Sequence, residues 1–181
     1  MINRGKQFEE QFKKDFLRTF PNGFIFRLPD QMSGYKSYSQ NPCDFICYTH
    51  GKLFLVECKS HKGASLPFEA LSQYEKLVSY SNIPGVYAGV VIWLYEKDKV
   101  LYAPIQLIKQ LKLEGKKSVG LKALSEYSAL IEVPSKKKRV LMDSDYLILF
   151  LIYPAEMYHK NKTIYIHWKN FFLFYNINLC F

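Results

Sequence analysis

The chain has 181 residues, 49% of them hydrophobic and 17% aromatic, and a formal net charge of +9. That length and apolar content suffice for one folded domain with a sizeable core, and they exclude a disordered chain. The positive balance favours a polyanionic partner, nucleic acid before an anionic membrane surface.

No apolar export-signal stretch follows Met1-Ile2-Asn3-Arg4-Gly5-Lys6. The longest apolar run, Tyr146 to Tyr153, spans eight residues, whereas a membrane-crossing helix needs ~20. The four cysteines, Cys43, Cys47, Cys58 and Cys180, therefore read as free thiols in a reducing, cytoplasmic setting.

Phe8, Phe12, Phe16 and Phe20 recur at helical spacing and predict an amphipathic helix over residues 5–20, stopped by Pro21-Asn22-Gly23. Phe24 to Leu28 reads as a short strand. Pro29 to Pro42 reads as a loop, rich in Ser, Gly, Gln and Tyr. Asp44 to Tyr48 and Leu53 to Cys58 predict a hairpin turning at His50-Gly51. His61 to Ser65 reads as a polar loop, after which Pro67 opens a helix with Ala70, Tyr74, Leu77 and Val78 on its apolar face. That helix ends near Asn82-Ile83-Pro84.

Val86 to Tyr95 is apolar enough for a central strand, and Val100 to Ala103 follows as a short one. Pro104 to Leu113 predicts a helix, and Glu114 to Lys122 a basic loop. Leu130 to Val133 and Val140 to Met142 read as short strands flanking Lys136-Lys137-Lys138-Arg139, and Asp143 to Tyr153 as a last helix. The order predicts one α/β domain over residues 1–153, with a central mixed β-sheet flanked by helices. A Tyr- and Phe-rich tail, 154–181, follows without a clear period.

The hairpin carries the chemistry. Asp44 opens its first strand and Glu57-Cys58-Lys59 closes the second. Side chains alternate along a strand, so Glu57 and Lys59 share a face while Cys58 points away. An antiparallel hairpin brings Asp44 beside Glu57. Two carboxylates and a backbone carbonyl suit Mg²⁺ or Mn²⁺. Such an ion activates water and neutralises charge on a phosphate, and Lys59 can position the water or stabilise the pentacovalent phosphate. On spacing alone the same residues also fit an ion pair at a sheet edge, with Lys59 neutralising Glu57.

The neighbouring segments add to this. Gly5-Lys6-Gln7-Phe8-Glu9, Asp44, Glu57-Cys58-Lys59, Pro67-Phe68 with Gln73, and Tyr87-Ala88-Gly89-Val90-Val91-Ile92 together resemble the PD-(D/E)xK nuclease superfamily. Within it they resemble the RecU-type Holliday junction resolvases. Lys117-Ser118-Val119 and Asp145-Tyr146-Leu147 resemble weaker patterns further on, so the likeness runs over residues 4–151. The resemblance implies a restriction-endonuclease-like core and a metal-dependent endonuclease acting on branched DNA in recombination or phage DNA processing. It implies Asp44, Glu57 and the Cys58 carbonyl as metal ligands, Lys59 as the activating or stabilising residue, and Glu9 and Gln73 as supporting residues. It also implies a homodimer, because a four-way junction has two symmetric strands to cut. The chain departs from the family at Pro42, where a threonine is usual. The alternatives are a nuclease on linear or flapped duplex DNA and a non-catalytic nucleic-acid-binding protein.

Lys136, Lys137, Lys138 and Arg139 form one basic cluster, Lys116, Lys117 and Lys122 a second, and Lys36 lies in the loop before Asp44. Such clusters hold backbone phosphates without reading sequence, and they are also met as solvated turns. Tyr35 and Tyr38 can stack on exposed bases or simply pack the loop. Cys43, Cys47, His50, Cys58 and His61 lack the paired spacing of a zinc site. No phosphate loop of the Walker type is present, so no nucleotide cofactor is expected.

Overall fold

The computed structural model of the protein describes residues 3–29 and 41–152. Helix α1, Arg4–Thr19, is capped by the Asn3 side chain, which accepts the Lys6 N–H at 3.2 Å. Its Phe8, Phe12 and Phe16 are buried, as is Phe20 just beyond its end. Strands β1, Phe24–Arg27, β2, Phe45–Thr49, and β3, Lys52–His61, follow. His50 and Gly51 join β2 to β3 with φ of 48° and 77°, the left-handed pair of a tight hairpin turn.

After β3 come β4, Ser65–Pro67, α2, Tyr74–Tyr80, β5, Val86–Leu94, β6, Lys99–Pro104, and α3, Ile105–Leu113. The described chain ends with β7, Ser118–Gly120, β8, Ile131–Glu132, β9, Ser135–Lys138, β10, Leu141–Ser144, and α4, Leu147–Ile152. Among the described residues the main sheet has six strands in the order β1-β2-β3-β5-β6-β8. Only β3 and β5 run parallel, joined by the crossover that carries α2, so the sheet is mixed as the sequence predicts.

Strand alternation divides the core in two. Leu55, Val90, Ile92, Leu101 and Ala103 meet Leu77 of α2 and Leu107, Ile108 and Leu111 of α3. Phe54, Val56, Cys58, Val91, Trp93 and Tyr102 meet the α1 phenylalanines on the other face. Phe12 packs its ring 5.1 Å from Phe45 and 4.8 Å from Tyr146. No helix among the described residues is long and apolar enough to cross a membrane.

Four boundaries differ from the sequence reading. β3 continues to His61, and the supposed loop leads into β4, which pairs antiparallel with β7 inside the supposed basic loop. The approach is close: a Cβ on Gly120 would lie 2.2 Å from the Ala64 carbonyl oxygen. Pro67 is extended and ends β4 instead of opening a helix. The Phe68 N–H goes to the Lys117 carbonyl at 3.0 Å, and α2 starts only at Tyr74. Lys136, Lys137 and Lys138 lie within β9, which turns through Arg139 into β10. Asp143 and Ser144 complete β10, so the last helix starts at Leu147.

Candidate active site

Phe45 stands opposite Val56 in the β2–β3 ladder, so Asp44, one residue earlier, comes level with Glu57. Its backbone is fixed on the other side too, since its carbonyl accepts the Leu28 N–H at 2.8 Å. Its carboxylate accepts the Cys58 N–H at 2.8 Å. Asp44 thus reaches across the hairpin and grips the triplet at its middle residue.

Glu57 has no solvent exposure. The Lys59 ammonium lies 2.7 Å from one of its oxygens and is itself a quarter exposed. Lys59 therefore stands at the opening above a buried carboxylate, the geometry that strand alternation predicts. Beyond that ammonium, neither Glu57 oxygen has a hydrogen-bond partner among the described residues. Burial pushes its carboxyl up to about 7; the charges of Asp44 and Glu9 add to the rise and Lys59 opposes it.

Glu9 of α1 lies near enough for its charge to add to the rise at Glu57. It accepts hydrogen bonds from Arg27 of β1, 2.8 Å from Nε and 2.7 Å from Nη2. Arg27 is the ladder partner of Phe45, next to Asp44. The site therefore gathers Glu9, Asp44, Glu57, Lys59 and Arg27. Arg27 escaped the sequence reading, although a lone charge closing an aromatic strand just upstream of Asp44 was a usable signal.

The donors fit a hard divalent cation. Two adjacent carboxylates, one of them buried with open lone pairs, are costly without a positive partner. Among the described residues no group of three or more His, Cys, Asp or Glu side chains stands close enough to hold a metal. A cation here would rest on Asp44 and Glu57, completed by a backbone carbonyl such as that of Cys58. The Cys58 thiol is on the opposite face, and burial raises it well above the ordinary range. Cys43 is likewise pushed up to about 12, chiefly by burial. Cys43 packs against the α2–α3 core, whereas Cys47 and Cys58 pack on the α1 face.

Gln73 sits at the N-cap of α2, and its partner is the Ser72 hydroxyl at 2.6 Å. It makes no bond to either acid. Of the basic residues, Lys116 pairs with Glu126 at 3.8 Å, Lys137 with Asp98 at 2.6 Å, and Lys138 with Asp143. Lys117, Lys136 and Arg139 are exposed. Asp98 lies in the β5–β6 turn, at the end of the sheet where β3 finishes, and Lys117 lies beside the β4–β7 ribbon. Lys36, Tyr35, Tyr38 and the tail lie outside the described residues.

No protein-family profile and no curated protein matches the chain. A solved structure does: Hjc of the archaeal hyperthermophile Archaeoglobus fulgidus, a Holliday junction resolvase. It is 21% identical and superposes with a TM-score of 0.51 over 71% of this chain and 95% of its own. The mixed sheet between helical layers is therefore a restriction-endonuclease-like α/β fold, shared with that resolvase.

Proposed function

We propose that the protein is a metal-dependent endonuclease of the PD-(D/E)xK kind that acts on branched DNA, in the manner of a RecU-type Holliday junction resolvase. The observation that carries this reading is the buried, otherwise unbonded Glu57 set between Asp44 and Lys59. A structural ion pair has no need to bury a carboxylate with open lone pairs beside a second acid. The shared fold with an archaeal resolvase and the net charge of +9 support the same reading.

Asp44 and Glu57 would hold Mg²⁺, with Mn²⁺ an alternative, and the ion would supply Lewis-acid activation of water and charge neutralisation at the phosphate. Lys59, at the opening, can donate to a non-bridging phosphate oxygen and stabilise the charge that grows there. Asp44 is held in place by the Cys58 N–H, which donates to one of its carboxylate oxygens. The Arg27–Glu9 pair closes the α1 side and limits the negative charge around Glu57. Exposed Lys117, Lys136 and Arg139 can touch backbone phosphates on either side of the cut. A homodimer would present two such sites to the two strands of a junction.

The test is cleavage of an end-labelled four-way junction beside a linear duplex of the same sequence, with Mg²⁺ and with chelator. Paired Mg²⁺-dependent cuts in the junction are expected. Equal cutting of the duplex would remove the branched-DNA preference. Tight binding without cutting of any DNA would make the protein a binding module on a nuclease fold.

A further inference from the structure

Strand β3 runs on past the Glu57-Cys58-Lys59 triplet. Its ladder with β5 continues through Lys59↔Ile92, Ser60↔Trp93 and His61↔Leu94. The His61 carbonyl then accepts the Tyr95 N–H at 3.1 Å. His61 is therefore a strand residue, and alternation puts it on the same face as Lys59 and Glu57. The ladder partners agree, because Val90, Ile92 and Leu94, which stand beside Glu57, Lys59 and His61, all belong to the α2–α3 core. At ~3.3 Å per residue, Lys59 and His61 lie ~6.6 Å apart along the strand. That distance is close to the step between neighbouring phosphates of one nucleic-acid strand.

The His61 imidazole is set in one tautomer. The Gly63 N–H donates to Nδ1 at 3.1 Å. A backbone amide can only donate, so Nδ1 keeps its lone pair and the ring proton sits on Nε2. Gly63 lies against that edge of the ring: a Cβ there would stand 3.4 Å from Cε1 and 3.6 Å from Nδ1. The residue is half-buried. His61 thus brings one oriented donor to the face that carries Glu57 and Lys59. Such a donor suits a backbone phosphate oxygen, a contact that fixes register without reading bases. A histidine kept only to close the turn would need its Nδ1 acceptor alone.

We propose that His61 donates its Nε2–H to the DNA phosphate next to the one that meets Lys59, and so sets the register of that strand in the site. The proposal rests on the nuclease reading for its substrate, and the experiment separates the two. Four-way junctions carry a single methylphosphonate, one phosphate position at a time. Their binding is measured in Ca²⁺, without Mg²⁺, for wild type, Lys59→Ala, His61→Phe, His61→Gln and His61→Asn. Glutamine keeps an N–H donor near the place of Nε2, whereas asparagine keeps an acceptor near the place of Nδ1. One methylphosphonate should weaken wild type and His61→Gln by about 3- to 10-fold, the order of one hydrogen bond. His61→Phe and His61→Asn, already weaker by that factor, should not lose it again. The position coupled to His61 should be the neighbour of the one coupled to Lys59. Coupling of His61 to no phosphate, or to one remote from that of Lys59, would overturn the proposal. So would wild-type binding by His61→Asn together with a loss in His61→Gln. The unmodified junction in Mg²⁺ scores the other reading. Coupling without cutting would remove the nuclease and keep this contact, and cutting without coupling would remove this contact alone.

Discussion

Residues around the candidate site are held by charge as much as by packing. Arg27 and Glu9 form a partly exposed pair in which two guanidinium nitrogens approach one oxygen. Removing Arg27 removes the positive charge beside Glu9, whose own charge adds to the rise at Glu57. Arg27→Gln should cost about 1–2 kcal/mol in urea unfolding, the order of a broken hydrogen bond to a charged group with some solvent screening. Adding Glu9→Gln should recover part of that cost, and strict additivity of the two changes would show that the pair does nothing. Asp15 lies at the other end of α1, buried, with the Ser144 N–H at 2.9 Å and Gln11 at 2.8 Å. Burial raises its carboxyl above 3.8 despite these bonds and Arg18. The folded state therefore binds this proton more tightly than the unfolded chain. Asp15's contribution to stability is fully present below about 3.8 and is lost as pH rises through the raised value. The stability difference between wild type and Asp15→Asn should move in favour of wild type as pH falls from neutrality toward 4. The opposite slope in denaturant titrations at each pH would contradict the burial argument.

Elements built from local pattern were legible in the sequence. The phenylalanine stripe of α1, the β2–β3 hairpin with its His50-Gly51 turn, and the apolar β5 all rest on neighbours within a few residues. Asp44, Glu57 and Lys59 came with them, because a hairpin register follows from its turn. The β4–β7 ribbon was not legible, since its partners are some fifty residues apart and each is only three residues long. Pro67 misled for a physical reason: an extended proline fits a strand end as well as a first helical turn. Arg27 was missed because its role depends on α1 crossing the sheet to bring Glu9 to it. At this scale Gly89 of β5 offers a test of the packing between neighbouring strands. A Cβ there would lie 2.4 Å from the Tyr102 hydroxyl and 2.5 Å from its ring. Tyr102 is fully buried, so Gly89→Ala should destabilise the domain by ~1–3 kcal/mol through overpacking. An unchanged urea midpoint would mean that the ring can move aside.

At the scale of the molecule, the buried Glu57 with Asp44 beside it, the opening at Lys59 and the exposed basic residues make up the candidate DNA-facing side. If duplex arms lie across that side, Lys136→Gln with Arg139→Gln should reduce the salt dependence of DNA binding. The slope of log K against log salt should fall by ~1.8, about 0.9 for each phosphate no longer neutralised. Lys137 and Lys138, already paired with Asp98 and Asp143, should matter less when changed alone. The central claim is that Asp44, Glu57 and Lys59 together break a phosphodiester bond. Its most direct test is single-turnover cleavage of a saturating four-way junction with Mg²⁺ by wild type, Asp44→Asn and Lys59→Ala. Wild type should cut, and both variants should bind the junction and cut ~100-fold or more slowly. Cutting by either variant at the wild-type rate would show that the bond is broken elsewhere.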